Sequence, residues 1–389
     1  FNTVLYTGAG GTETITGVGF TPGLTWIKNR NNAYSHQLYD SVRGVGSSKN
    51  LRSDSNSSQG VGADLYGYLS SFNNDGFILQ SGTSSGFNNI WTNQNSQEYV
   101  AWNFKAGGAA VANDDGNVTS QVSVNNTLGF SIVSFSNNDS FTNTFGHGLG
   151  AQPELVIIRP TSQVSNWFVY VDSLGKSKRL KLNTSDAESS WSSNVGWNTA
   201  TGITSSVLSF AYDSTSYPFI AYCFTSKPGF SKVGSYTGNG SASGPMVQTG
   251  FEPAFLIVKR TDSTSNWMIY DNKRNPSNPI DLELYANLSN AEGSPYTAYN
   301  FYSNGFQVIS NNAAHNASGG TYLYIAFAAD GSTATPSLAN SFATEIYSGN
   351  GGTQAITTGF KPDLIWFKDR GGTYSHSLYN SISGRDRFL

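Results

Sequence analysis

One short pattern of aromatic and polar side chains occurs twice in the chain, once near each end. It reads Tyr-Ser-His-Gln-Leu-Tyr from Tyr34 to Tyr39 and Tyr-Ser-His-Ser-Leu-Tyr from Tyr374 to Tyr379, and an arginine precedes each copy. Aromatic rings stack on the C–H face of a pyranose and planar polar side chains bond its hydroxyls, so the pattern favours a sugar-binding surface. The candidate glycan-binding residues are Arg30, Tyr34, His36, Tyr39, Arg370, Tyr374, His376 and Tyr379. The competing interpretation is structural, with the imidazole bonded to a backbone carbonyl at a strand end.

Patterns that could support catalysis lack the context that the chemistry needs. Gly82-Thr-Ser-Ser-Gly86 matches the G-x-S-x-G motif of hydrolases, but no helical periodicity follows it. Glycoside hydrolysis needs two carboxylates held across a sugar, whereas acidic residues are sparse and Asp40 is replaced by Asn380 in the second copy of its segment. We therefore expect no enzymatic activity and no catalytic residues, and we keep a carbohydrate-active enzyme as an alternative.

The sequence has few residues that could bind a metal ion or take part in redox chemistry. Cys223 is the single cysteine, which excludes an intramolecular disulfide and any multi-thiolate zinc site. The four histidines share no ligand spacing, so we expect no metal and no cofactor. Structural calcium in the Asp/Asn-rich loop 113–116 stays open, although no loop has EF-hand spacing.

Charge and hydropathy argue against two classes of partner. The chain has 22 basic and 25 acidic residues, a net charge of −3, and no dense run of Lys and Arg, so we expect no nucleic-acid partner. No apolar stretch approaches the roughly 18 residues that span a bilayer, so we expect no membrane insertion.

The composition predicts an all-β fold. Charged residues form 12% of the chain and aromatics 14%, and glycine is abundant with 42 residues. Such a chain has little helix-forming material, which argues against a helical bundle or a doubly wound α/β enzyme. Many short apolar runs separated by turn residues favour antiparallel β-sandwiches of the jelly-roll or concanavalin-like type.

A recurrent turn-and-strand pattern divides the chain into four domain-sized repeats. Its shared element, a turn with a proline followed by an apolar strand that ends in a basic residue, occurs at Gly19–Arg30, Gly150–Arg159, Gly250–Arg260 and Gly359–Arg370. Repeats of this length form whole domains rather than solenoid turns. We predict sandwiches in series, as beads, over 1–107, 127–226 (divergent), 230–330 and 342–389 (incomplete), with residues 108–126 as a linker.

The shared strands should build the cores of these repeats. We expect most of the following residues to be buried: Trp26, Ile27, Leu155, Ile157, Phe255, Ile257, Ile365 and Phe367. The fourth repeat lacks the closing strand of the others, and a half-built sandwich would expose apolar faces and strand edges. We expect downstream residues or a strand donated by a neighbouring subunit to complete it, and donation would link chains into a filament.

The motifs of the first and fourth repeats resemble a repeat domain of marine bacteriophage structural proteins. The shared features are Tyr-x-Gly-Asn-Gly, Gly-Phe-x-Pro-Asp-Leu-Ile-Trp-Phe-Lys-x-Arg, His-x-Leu-Tyr and the closing Val-Ala-Trp-Asn-Phe-Lys-Ala-Gly. Proteins with such repeats are often described as tail-fibre-like or concanavalin-like. The resemblance implies a β-sandwich fold and a location on the virion surface or outside the cell, and it transfers no catalytic or binding residue.

These observations predict a non-enzymatic surface or fibre protein of a phage virion that contributes to adhesion to host glycans. Its expected partners are other virion or filament subunits in a homo-oligomer, and a glycan of the host surface. The alternative from another class is a secreted bacterial adhesin or filament subunit built of the same repeats.

Overall fold

Short antiparallel strands account for nearly all the regular structure, which confirms the all-β prediction. The computed structural model describes residues 1–137, 143–191, 195–198, 202–212, 215–329, 342–358 and 362–381. The chain divides into two units, Phe1–Thr333 and Ala334–Leu389. The first unit contains three lobes that correspond to the first three repeats: lobe 1 (1–107), lobe 2 (108–226) and lobe 3 (227–329). Within the described residues, no helix is long and apolar enough to cross a membrane.

Lobe 1 is a sandwich of two sheets. Its elements are β1 (Asn2–Thr7), β2 (Glu13–Ile15), β3 (Leu24–Asn29), β4 (Gln37–Asp40), α1 (Ala63–Tyr66), β5 (Tyr68–Asn73), β6 (Gly76–Gln80) and β7 (Glu98–Phe104). The inner sheet has the order β1-β7-β3-β4 and the outer sheet the order β2-β6-β5. A separate apolar cluster fills the space between the two sheets.

Lobe 2 repeats this plan with a larger inner sheet. Its elements are β8 (Val111–Asn113), β9 (Ser120–Asn125), β10 (Phe130–Asn137), β11 (Phe145–Gly146), β12 (Leu155–Pro160), β13 (Phe168–Val171), a 3₁₀ turn (Asp172–Leu174), β14 (Lys178–Lys181), β15 (Ser189–Ser190), β16 (Val195–Trp197), β17 (Val207–Leu208), β18 (Phe210–Tyr212) and β19 (Tyr217–Phe224). The inner sheet runs β15-β14-β13-β12-β19-β10-β9-β8, and the outer layer contains the pairs β11-β17 and β16-β18.

Lobe 3 has the plan of lobe 1, and the second unit contributes one hairpin. The elements of lobe 3 are β20 (Ser231–Thr237), β21 (Met246–Gln248), β22 (Phe255–Arg260), β23 (Trp267–Asp271), β24 (Leu284–Tyr285), β25 (Tyr299–Tyr302), β26 (Gly305–Val308), α2 (Ala313–Asn316) and β27 (Thr321–Phe327). Its inner sheet has the order β20-β27-β22-β23-β24 and its outer sheet β21-β26-β25. The hairpin of the second unit pairs β28 (Leu364–Phe367) with β29 (Ser377–Asn380).

The three inner sheets share one central apolar core. The face of each inner sheet that points away from its own outer layer contributes to a single cluster of buried residues from all three lobes. Strand register makes the lobes equivalent, because β3, β12 and β22 occupy the same place in their sheets. The equivalent pairs across the following closing strands are Leu24–Phe104, Leu155–Phe224 and Phe255–Phe327. The lobes are therefore sandwiches in series along the chain, but they pack as one body rather than as separate beads.

The predicted linker 108–126 is wrong, because it contains two strands of lobe 2. Its alternating segment Ser120–Asn125 pairs with β10 as β9, and Val111–Asn113 pairs with β9 as β8. The Gly, Ala and Asn content of the segment concealed the apolar alternation of β9, in which Val122 is buried. The segment thus covers the edge of lobe 2 rather than separating two domains.

The predicted core residues of the first unit are buried, as expected. Trp26, Ile27, Leu155, Ile157, Phe255 and Ile257 are all at most 8% exposed, whereas Ile365 and Phe367 of the second unit are each 36% exposed. Ile27 is buried between the two sheets of lobe 1. The other five face the shared core, so their burial depends on the other lobes.

Truncation of equivalent leucines tests this difference in burial. Leu24 is 3% exposed and Leu364, at the same position of the fourth repeat, is 58% exposed. We expect Leu24→Ala to lower the free energy of unfolding by about 2–5 kcal/mol, because it leaves a cavity in the core. The matched Leu364→Ala should change it by less than about 0.5 kcal/mol. Urea unfolding followed by tryptophan fluorescence measures both, and equal losses would contradict the shared core.

Candidate functional site

Three of the predicted sugar-binding residues of lobe 1, Arg30, Tyr34 and His36, lie on the loop between β3 and β4, and Tyr39 lies in β4. The structure does not gather them at the surface. His36 and Tyr39 are fully buried, Tyr39 in the apolar cluster between the two sheets of lobe 1. Tyr34 is half-buried and packs against a small cluster that contains Trp91. The prediction of a glycan surface is wrong here, because lobe 3 covers His36 and Arg30 and the core of lobe 1 encloses Tyr39.

Both ring nitrogens of His36 are hydrogen-bonded, Nδ1 within lobe 1 and Nε2 to lobe 3. The Trp26 Nε1–H donates to His36 Nδ1 at 2.8 Å, so the proton of the neutral imidazole is on Nε2. Nε2 lies 2.8 Å from the carbonyl oxygen of Tyr285 and 3.2 Å from that of Leu288, both in lobe 3. Burial, assisted by the nearby Lys28 charge, lowers the pKa of His36 to about 3. The imidazole is thus a neutral structural group, as the competing interpretation of the sequence has it.

Arg30 makes the second contact of this loop with lobe 3. Its Nη2 lies 2.7 Å from Glu292 Oε1, and its Nη1 lies 3.4 Å from Glu98 Oε2 of its own lobe. The other oxygen of Glu292 pairs with Arg274 at 2.9 Å. Arg30 is therefore part of an ion-pair network between lobes, and its guanidinium is already occupied by carboxylates.

The ring-to-carbonyl bond of His36 has an equivalent at each of the other two lobe interfaces. Trp167 of lobe 2 occupies the position of His36, and its Nε1–H donates to the carbonyl of Arg52 in lobe 1 at 2.8 Å. Trp267 of lobe 3 donates in the same way to the carbonyl of Lys181 in lobe 2 at 2.9 Å. Lobe 1 therefore bonds to lobe 3, lobe 2 to lobe 1 and lobe 3 to lobe 2, which closes a ring of three.

A buried cation ends the central strand of each inner sheet, at the equivalent positions Lys28, Arg159 and Lys259, all 0% exposed. Backbone carbonyls bind them: Arg159 Nη2 donates to Ser57 of lobe 1 at 2.7 Å, and Lys259 Nζ to Ser185 of lobe 2 at 3.3 Å. Burial lowers the pKa of Lys28 to about 7 and that of Lys259 to about 8.

Lobes 1 and 2 are also joined by a clasp, here defined as an aspartate, the arginine three residues later, and a ring donor from the next lobe. Asp40 Oδ2 lies 2.6 Å from Arg43 Nε and accepts a 2.8 Å hydrogen bond from the Tyr222 hydroxyl of lobe 2. Asp40 is fully buried. Burial and the Asp40 charge raise the pKa of Tyr222, so its hydroxyl remains a donor.

The clasp recurs between lobes 3 and 1. Asp271 Oδ2 lies 2.5 Å from Arg274 Nε and accepts a 3.0 Å hydrogen bond from Trp102 Nε1 of lobe 1. Trp102 is the register equivalent of Tyr222, and both face the shared core.

The third interface, between lobes 2 and 3, replaces every member of the clasp with an apolar residue. Strand register places Val171 at the aspartate position and Ile325 at the donor position, and Leu174 follows three residues after Val171. All three belong to or pack against the central core. Acid, base and donor are thus absent together, as expected if none is tolerated alone in a buried site.

The clasp was not predicted from the sequence, although a signal for it exists. Asp-x-x-Arg follows the second core strand in repeats 1 and 3, at Asp40–Arg43 and Asp271–Arg274. The same spacing in repeat 2 gives Val171 and Leu174. Comparing the repeats position by position would have identified the pair, whereas its ring donors come from strands of other lobes.

The fourth repeat forms the same hairpin in an exposed setting. Trp366 Nε1–H donates to His376 Nδ1 at 2.7 Å, which reproduces the Trp26–His36 bond. Arg370, Tyr374 and His376 are exposed and Tyr379 is half-buried. Their assignment to glycan binding stays a prediction.

The remaining candidates for reactive chemistry are structural. Burial raises the pKa of Cys223 to about 12, so its thiol is not nucleophilic near neutral pH. The Asp/Asn loop of lobe 2 is tied internally, with Asn113 Nδ2 donating to Asp115 Oδ2 at 3.0 Å. Across the described parts of the chain, no group of three or more His, Cys, Asp or Glu side chains is arranged to hold a metal ion.

Comparison with known families agrees with the two structural units. A family model described as a domain of unknown function, DUF7483, matches residues 1–330 and 337–389. The chain belongs to the DUF7483 family. The first matched range coincides with the three lobes, and the second contains the hairpin of the fourth repeat, whose sequence repeats that of lobe 1. No curated protein and no solved structure matches the chain.

Copying the apolar interface into the first clasp tests why these residues occur together. We expect Asp40→Val to lower the free energy of unfolding by about 3–5 kcal/mol, because Arg43 is left buried without its partner. The triple variant Asp40→Val, Arg43→Leu, Tyr222→Ile reproduces the residues of the lobe 2–lobe 3 interface and should recover most of that loss. Urea unfolding of both variants is the measurement. A triple variant as unstable as the single one would show that the interfaces are not equivalent.

The buried imidazole gives the first unit an acid-sensitive stability. The folded-state pKa of His36 is about 3 and its ordinary value is 6.5, so between these values the unfolded chain binds the extra proton. Its contribution to stability is complete above pH 6.5 and is lost as the pH falls towards 3, by up to about 1.4 kcal/mol per pH unit. His36→Gln should flatten this part of the profile, whereas His376→Gln, on the exposed hairpin, should leave it unchanged. Urea unfolding between pH 3 and 7 compares them, and equal slopes for wild type and His36→Gln would refute the assignment.

Proposed function

We propose that the chain is a non-enzymatic building block of a phage virion surface or fibre. The observation that carries the proposal is the use of its polar and aromatic side chains. The side chains that are most capable of binding or catalysis instead form hydrogen bonds and ion pairs between lobes. They are His36, Arg30 and the members of the two clasps. A body in which these groups hold its own parts together suits a load-carrying or spacing role.

The cyclic arrangement of the lobes supports a rigid body. Each lobe bonds to the next through a ring nitrogen and a backbone carbonyl, and all three share one core. Substrate closure in enzymes relies on hinges between parts that move separately. Relative motion of these lobes would break buried hydrogen bonds and expose apolar surface. A rigid structural unit therefore fits this arrangement better than an enzyme with a hinge.

A fibre also suits the tandem pattern of the chain. The family match resumes at residue 337, and its sequence repeats the start of lobe 1 after the first unit is complete. Units in series along one polypeptide are a simple way to build length. The virion, rather than a cellular filament, is favoured by the resemblance of the repeat motifs to those of phage structural proteins.

The two buried aspartates of the clasps argue against a catalytic role for these carboxylates. Asp40 and Asp271 are buried against arginines, so neither faces a second acid across an open cleft. A glycosidase needs two carboxyl groups about 5–10 Å apart on either side of a bound sugar.

Immunogold electron microscopy tests the proposal. Antibodies raised against the 389-residue chain should label purified virions from the source culture at a fixed capsid or tail position. A culture of a host that lacks the phage is the control. Label only on cellular filaments would support the secreted adhesin instead. Polysaccharide hydrolysis by the purified chain would overturn the non-enzymatic assignment.

A further inference from the structure

The outer sheet of lobe 3 presents a neutral polar face to water. Its inward residues, such as Val247, Phe301 and Phe306, fill the core of the lobe. The outward residues form two rows across the three strands, and the strands contain no charged residue. One row is Met246, Gln307 and Asn300, and the next is Gln248, Gly305 and Tyr302.

The Tyr302 ring is held along the surface of this sheet. Asn300 Nδ2 donates to the Tyr302 hydroxyl oxygen at 3.2 Å, and this hydroxyl donates to Gln307 Oε1 at 3.5 Å. Both partners belong to the neighbouring row, so the ring must reach from its own row to the next. Tyr302 is 40% exposed, which leaves ring surface available for contact.

The residue opposite Tyr302 on the neighbouring strand is a glycine. Gly305 lies directly opposite Tyr302 in the register and carries no side chain. A Cβ added at Gly305 would come within 2.0 Å of the Val247 carbonyl oxygen, so the fold itself requires glycine here. The position opposite the ring therefore cannot accept a larger side chain in this fold.

A pair of amide side chains lies at the other end of the row that contains Tyr302. The Asn304 side-chain amide donates to the side-chain oxygen of Gln248, which lies on β21, two strands from Tyr302. That bond uses one hydrogen of the Asn304 side chain and the side-chain oxygen of Gln248, so the NH₂ of Gln248 and the side-chain Oδ1 of Asn304 can still pair with a ligand. Met246, 43% exposed, adds an apolar side chain to the other row.

We propose that this face of lobe 3 binds a neutral sugar. A fixed tyrosine ring stacks on the C–H face of a pyranose, and side-chain amides exchange hydrogen bonds with its hydroxyls. The strands of the face supply no Lys or Arg, the groups that recognise the carboxylate of an acidic sugar. The ligand is therefore an uncharged hexose or a chain of such hexoses. The site does not depend on whether the chain belongs to a virion.

Lobe 1 provides a comparison within the molecule. Register places Asn73 at the position of Tyr302 and Ile78 at that of Gln307, while Gly76 matches Gly305. The end of the outer sheet of lobe 1 therefore has the same register without the stacking ring, and a β-bulge between Leu69 and Ser71 follows further along the strand pair. Only the lobe 3 face should bind sugar when the two sheets are compared.

Saturation-transfer difference NMR on the full chain tests the site. The probes are the methyl glycosides of glucose, galactose and mannose, with N-acetylneuraminic acid as the charged probe. We expect transfer to the ring C–H protons of at least one neutral sugar, and an at least tenfold weaker affinity for Tyr302→Ala. Tyr302→Phe, which keeps the ring, should lose less, and Asn73→Ala in lobe 1 should bind like wild type.

Three results would overturn the proposal: no neutral sugar gives transfer, Tyr302→Ala binds like wild type, or the charged probe alone binds. Circular dichroism melting verifies that each variant is folded, which is expected because Tyr302 lies on the solvent side of the sheet. Should Tyr302→Ala unfold, Gln307→Ala at the neighbouring row removes the hydroxyl's acceptor and must weaken binding for the proposal to stand.

Discussion

The fold depends on one constraint: each inner sheet is apolar on both faces. Its outer layer covers one face, and within the described residues the other face packs against the inner sheets of the other two lobes. Side chains such as Trp102, Tyr222 and Phe327 would face water in a separate lobe, a large cost for side chains of this size. The three inner sheets remove these side chains from water by packing their uncovered faces against one another. The described part of Phe1–Thr333 is therefore a single body in which the lobes cover one another's apolar faces.

The buried polar groups follow from this closure. Loops at the lobe contacts are sealed from water, so their carbonyls need donors, and ring nitrogens and strand-end cations supply them. In each clasp the buried carboxylate of an aspartate also needs partners, and an arginine and a ring donor from another lobe supply them. Replacement of an entire buried ion pair by apolar residues can be neutral, whereas loss of one member is costly. The Val171, Leu174 and Ile325 set is the apolar solution, realised in the same chain beside the two polar ones.

The sequence predicts the elements well and their assembly poorly. The strands around Trp26, Leu155 and Phe255 follow from apolar runs between turn residues, and their burial follows from the repeat. The site is different: the pattern around His36 looks the same whether it faces water or another lobe. His36 and His376 show both outcomes, since similar residues are buried in one unit and exposed in the other. What decides between them is a contact with Tyr285 and Leu288, about 250 residues away, which no local pattern encodes.

Native-state hydrogen exchange tests the shared core most directly. Ile269 lies in lobe 3 and faces the central cluster, so Ile269→Ala should weaken all three lobes at once. Exchange of the most protected amides in β3, β12 and β22 of the full chain should quicken by the same factor, equivalent to about 2–5 kcal/mol in opening free energy. Faster exchange confined to β22 and its neighbours, with β3 and β12 unchanged, would show that the lobes fold independently and would contradict the account.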